Sequence, residues 1–90
     1  MAIDAATLTE LITQGQQACV AGGNILTALR PRFPGLTITQ CPSSDVMETP
    51  FETGEYFDLH LVDTRNHCWE LTGSREDATA ILLAMHGKAS

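Results

Sequence analysis

Basic residues are scarce in this chain. Only Arg30, Arg32, Arg65, Arg75 and Lys88 stand against eleven Asp and Glu, for a formal net charge of −6. The five are scattered and make no stripe, and a surface of that sign repels phosphates, so nucleic acid is excluded as a partner. A basic protein patch or a cation is the complementary class, because seven of the eleven acids fall between Asp45 and Glu70. Cysteine is sparse as well: Cys19, Cys41 and Cys68 show no CxxC spacing. That argues against a disulfide framework and fits reduced thiols buried as small apolar groups. No apolar run approaches the roughly 20 residues that span a bilayer, and the opening Met1-Ala2-Ile3-Asp4 lacks the basic and apolar regions of a secretory leader. The expected location is therefore the cytoplasm, away from membranes. A phosphate loop is missing too, since Gly22-Gly23 is not followed by GK[ST] and does not follow a strand. Neither an internal repeat nor a low-complexity tract is present.

What remains is a 90-residue globular composition, 43% hydrophobic and 18% charged, enough for one domain with a modest core. Residues 1–6 and 87–90 read as loose ends. Thr7 with Glu10 makes a capping box for a first helix, and Leu8, Leu11, Ile12, Ala18 and Cys19 recur at helical spacing behind it. Gly15 weakens its middle and can let another backbone come close. Gly22-Gly23 breaks the pattern. Asn24 then caps a short second helix carrying Ile25, Leu26 and Leu29, which Pro31 stops. Leu36 to Cys41 alternates apolar with polar residues and reads as a strand, with Leu36 and Ile38 inward. Residues 42–55 read as an acidic loop of about 14 residues, a length that in so small a domain tends to be functional or mobile. After a hairpin, Ser74 and Asp77 read as a cap for a last helix in which Ala78, Ile81, Leu82 and Met85 form one stripe.

The hairpin, Tyr56 to Thr72, organises this reading. With Thr64, Arg65 and Asn66 as a three-residue loop, Asp63 faces His67, Leu61 faces Trp69 and Leu59 faces Leu71. Phe57 and Trp69 then join the core, while Asp58, His60, Val62, Cys68, Glu70 and Thr72 share the other face, with His60 opposite Glu70 and Val62 opposite Cys68. The expected fold is α+β: a three-stranded antiparallel sheet in the order α-α-β-β-β-α, with helices packed on one face.

Cys41 followed by Asp45-Val46, the run Phe57 to Asp63, His67-Cys68, Leu71-Thr72 and Ala78-Thr79 together resemble small uncharacterised bacterial proteins that accompany nitrogen-fixation genes. The resemblance covers residues 36–86 and leaves the N-terminal helices outside it. It implies a bacterial cytoplasmic protein with an accessory role, and carries no catalytic residue or ligand with it.

No motif of known mechanism is present. The first functional reading is a non-enzymatic interaction module whose partner-binding residues are Asp45, Glu48, Phe51, Glu52 and Glu55, or which pairs with a partner strand or its own copy through a sheet edge. No cofactor is expected. The second reading is a metal- or redox-linked accessory protein using Cys41, His60 and Cys68, with Glu70 as a further ligand; thiolate and imidazole suit zinc, but close-spaced ligand pairs are missing. The third is a small cysteine enzyme. His67 and Cys68 point to opposite faces of a strand, which leaves His60 as the base for Cys68. The bland alternatives outrank both: thiols as fillers, and Asp63 with His67 closing the turn.

Overall fold

The computed structural model describes residues 3–65 and 69–86. Helix α1 spans Ala5–Val20 and starts earlier than the capping box suggests: the Asp4 carboxylate, not Thr7, is the cap, accepting the Thr7 N–H at 2.8 Å. That bond lowers the Asp4 pKa. Ile3 and Leu8 are both buried and occupy the two positions of a hydrophobic staple, so Ile3 belongs to the core and not to a loose leader. The double glycine ends the helix as its composition suggests. Gly22 takes φ +80°, its N–H bonds Cys19 O, and Gly23 N–H bonds Ala18 O, a Schellman pattern that satisfies the last carbonyls. Asn24 then caps α2 (Ile25–Leu29) through Leu26 N–H and Thr27 N–H. Arg30 keeps helical angles despite the proline that follows it.

A mixed sheet lies against these helices, and it is larger than the expected three antiparallel strands. Its strands are β1 (Thr37–Pro42), β2 (Glu52–Thr53), β3 (Phe57–Asp63), β4 (Glu70–Thr72) and β5 (Ala80–Met85), with a 3-10 turn at Ser43–Asp45 after β1. The order is β1-β5-β3-β2, with β4 also paired to β3. β1 runs parallel to β5, from Thr37↔Ala80 to Pro42↔Met85, and β3 runs antiparallel to β5, from Phe57↔Met85 to Val62↔Ala80.

The expected last helix is thus a central strand. Ala80-Ile81-Leu82-Leu83-Ala84-Met85 is a continuous apolar run, and spacing cannot tell a strand covered on both faces from a buried helix. Length favours the strand. Asp77 N–H bonds Ser74 O and Ala78 N–H bonds Arg75 O, so the Ser74 capping signature belongs to a turn.

The hairpin exists, but in another register. Leu61 pairs with Thr72, Val62 with Leu71 and Asp63 with Glu70, so neither Leu61–Trp69, Leu59–Leu71 nor His60–Glu70 is a pair. The expected register requires one dry face on β3. In fact His60 and Val62 are buried along with Leu59 and Leu61, so the alternation that was to fix the register is missing. Trp69 is 54% exposed, outside the core. Asp63 grips Arg65 through two bonds of 2.9 and 2.7 Å, and Arg65 reaches Asp77 at 3.1 Å. This pairing holds the Asp63 carboxyl down to about 2. His67, its expected partner, and Cys68 lie outside the described residues.

Strand pairing sorts the faces. Phe57, Leu59, Leu61, Ile38, Ile81 and Leu83 share the face toward α1 and α2. A Cβ on Gly15 would sit 3.0 Å from the Phe57 ring and 3.2 Å from Ile25, so the absent side chain in α1 is what admits that ring. The close neighbour is a side chain and not a backbone.

The destabilising truncation is therefore at Phe57 rather than at Trp69. Phe57→Ala should cost about 3 to 5 kcal/mol, and Trp69→Ala about 1 kcal/mol or less. Urea unfolding of the two variants checks this; a larger loss at Trp69 would refute the packing described.

Candidate functional site

The site begins with a break in an edge. One side of β3 is taken over its length by β5. The other side is shared end to end: β2 pairs with Asp58 and Leu59, and β4 pairs with Leu61, Val62 and Asp63. His60 falls at the join. Phe51, just before β2, donates its N–H to Leu59 O at 2.9 Å, and Gly73 follows β4. Between the two ends opens a cleft of about 420 Å³, with Glu48, Thr49 and Phe51 on one wall, Leu71 and Thr72 on the other, and His60 below.

His60 is 3% exposed and makes no hydrogen bond among the described residues. Its burial lowers its pKa, opposed by the charges of Asp58 and Glu48, so the imidazole is neutral near pH 7. Glu70, its expected partner, is exposed and paired with Asp63 across the strands.

The acids proposed from sequence do not form one surface. Asp45, Glu48, Glu52 and Glu55 are all exposed, and none has an ion-pair partner among the described residues. Glu48 faces the cleft; Asp45 lies in the 3-10 turn; Glu55 lies in the turn between β2 and β3. Glu52 borders a second groove toward α1, with Ile12 and Arg75. Phe51 is 37% exposed and lines both grooves. The long loop is thus partly structured, since it contains both the 3-10 turn and β2.

Of the metal and thiol constellation, Cys41 and His60 are not brought together, and Cys68 lies outside the described residues. Cys41 pairs with Ala84 and His60 with Leu82, so β5 stands between them, and two strand spacings amount to about 10 Å. Among the described residues no three His, Cys, Asp or Glu side chains converge as a metal would need. Burial pushes the Cys41 thiol up, and Asp45 adds to the effect, so its thiolate is disfavoured.

One functional group escaped the sequence reading. His86 follows β5. Its backbone N–H bonds Tyr56 O at 3.0 Å, its Nδ1 lies 3.1 Å from Glu55 O, and its Nε2 lies 2.9 Å from Asp58 Oδ1. A carbonyl only accepts, so Nδ1 carries a proton, and the carboxylate favours a second on Nε2. The Asp58 bond leads in raising the pKa of His86. With both nitrogens engaged, the ring has no lone pair to serve Cys41, although the two line one shallow pocket. Only the i, i+28 separation of Asp58 and His86 hid the pair, because no local spacing encodes it.

A small α+β domain with a split edge strand, and a buried imidazole under the split, is the class these features define. The chain belongs to a family of unknown function (DUF6129), whose family model matches residues 9–86. The match takes in α2 and all but the first turn of α1, which the resemblance over residues 36–86 left out. No curated protein and no solved structure matches the chain. No helix among the described residues is long and apolar enough to cross a membrane.

The clamp at His86 has a signed consequence. A pKa raised on folding adds stability that is fully present below the unfolded value of about 6.5 and is lost as pH rises through the folded value. His86→Gln should therefore destabilise most between about pH 5 and 6.5, and least above the folded value. Urea midpoints of both proteins across pH 5–8 test it; a difference that grows toward alkaline pH would refute the clamp.

Proposed function

We propose that this protein is a cytoplasmic, non-enzymatic interaction module that docks a basic protein partner against residues 45–55 and the cleft they frame. One observation carries the reading: Glu48 is exposed without a basic partner among the described residues and lines one cleft with the half-exposed Phe51, while Asp45 and Glu55 add uncompensated charge elsewhere on the same segment. Asp58, Asp63 and Asp77, by contrast, are already paired. Uncompensated charge beside exposed aromatic area is the composition of a surface that recruits an oppositely charged partner. An accessory role in a bacterium, as the resemblance to proteins accompanying nitrogen-fixation genes implies, fits such a module.

Docking through this surface is favoured over pairing with a second copy at a sheet edge. On β1, Arg30 Nη2 already donates to Ile38 O at 3.1 Å, and Pro42 has no N–H to offer. The opposite edge is broken into β2 and β4, two and three residues long. The cysteine-enzyme reading rests on Cys68, outside the described residues; Cys41 adds nothing to it, since its thiol is pushed toward the protonated form and the nearby His86 is engaged on both nitrogens.

Charge on this surface should set how fast the partner arrives. Exposed charges are screened over about 8 Å at physiological ionic strength, so association with a basic partner slows as salt rises. Replacing Asp45, Glu48, Glu52 and Glu55 by Asn or Gln should slow it likewise, while urea stability changes by about 0.5 kcal/mol or less per site. Stopped-flow association rates at two salt concentrations decide the matter. Equal rates for both proteins, with only solubility altered, would reduce these acids to a solubilising role.

A further inference from the structure

His60 poses a question that the interaction reading leaves open. The ring is 3% exposed, makes no hydrogen bond among the described residues and is not among the polar atoms shut off from solvent without a partner, so its nitrogens keep what exposure they have at the cleft it lines. The cleft is a product of topology. At His60 the edge of the sheet passes from β2 to β4, and neither strand covers that position. The surroundings are one-signed: Glu48 stands over the ring from the loop, and Asp58 acts on it from the same strand. Leu82 faces it from β5, Leu71 and Thr72 come from β4, and no Lys or Arg lines the cleft. Phe51 and Leu71 supply apolar walls. At about 420 Å³ the space falls within the usual range of pockets that hold small ligands and side chains.

An occupant that fits must bring a positive charge for Glu48, an N–H donor for a neutral imidazole, and an apolar stem for the walls. We infer that the cleft seats one arginine side chain of the partner, its guanidinium shared between the Glu48 carboxylate and an acceptor nitrogen of His60. Arginine fits better than lysine because its planar fork presents several donors at once and can lie against the Phe51 ring. This inference rests on the interaction reading and adds the side chain it recognises.

A cation in the cleft opposes protonation of His60, and protonation of His60 opposes the cation. Binding therefore weakens as pH falls through the already lowered pKa of His60, and the bound state moves that pKa lower still.

The full chain can be titrated with N-acetyl-arginine amide and, as control, N-acetyl-citrulline amide, which keeps the shape and loses the charge. The readout is the His60 ring protons by NMR, identified by their disappearance in His60→Gln. The expected result is a saturable shift with the arginine probe in the millimolar range, little with citrulline, and a His60 titration displaced to lower pH when the probe is present. Glu48→Gln, an exposed change that leaves the fold intact, should weaken binding by about ten-fold or more. Equal response to both probes, no saturable shift, or indifference to Glu48→Gln would each overturn the seat. If the probe fails while a basic partner still associates in a salt-sensitive way, the seat falls and the interaction reading stands. If the probe binds as expected and basic partners do not, only the interaction reading falls.

Discussion

Everything in this structure depends on burying β5. Ala80, Ile81, Leu83 and Ala84 are each essentially inaccessible, and a run so uniformly apolar cannot sit at an edge or form a one-sided helix without exposing part of itself. It is therefore flanked by β1 on one side, in parallel, and by β3 on the other, antiparallel. Helices α1 and α2 then cover the row containing Ile81 and Leu83. The opposite row has smaller residues, Ala80 and Ala84, around Leu82, and the 3-10 turn after β1 lies near β5.

This constraint also explains which parts of the fold were legible. The helices and their break were readable because Gly22-Gly23, Asn24 and the Leu8–Leu11 spacing act locally, within one or two turns. The strand at Thr37 was readable from alternation. β5 was not, because Ile81, Leu82 and Met85 satisfy the helical spacing as well as a buried strand does, and Ser74 with Asp77 imitates a cap. With β5 taken for a helix, β3 became an edge of a hairpin with one wet face, and its register was deduced from an alternation that central strands do not have. Trp69 was drawn into the core by the same step.

The site was legible residue by residue and not as an arrangement. Glu48, Phe51 and His60 each stand out in the sequence, but for separate reasons: a charge run, an apolar anchor and a candidate metal ligand. What unites them is the junction between β2 and β4. β2 is only Glu52–Thr53, too short to leave a periodic signal, and its pairing with Leu59 is a long-range fact. Cys41 was placed with His60 on the assumption that β1 lies beside the hairpin, and the insertion of β5 removes that adjacency.

Two histidines on this part of the molecule respond to pH in opposite directions, for opposite reasons. His60 is buried without a partner, so its proton affinity falls; His86 is held by Asp58 and the Glu55 carbonyl, so its affinity rises. Linkage then gives opposed slopes. As pH drops below about 6.5, the unfolded chain takes up a proton that folded His60 resists, and stability is lost. Over the same range folded His86 binds its proton more tightly than the unfolded chain does, and stability is gained. The two terms offset each other in the whole domain but not locally, because His86 fastens the end of β5 to the turn before β3, whereas His60 sits under the cleft. Acid thus secures the scaffold around residues 54–58 while it charges the floor of the cleft, so a pH that leaves the fold intact can still change what the cleft will hold.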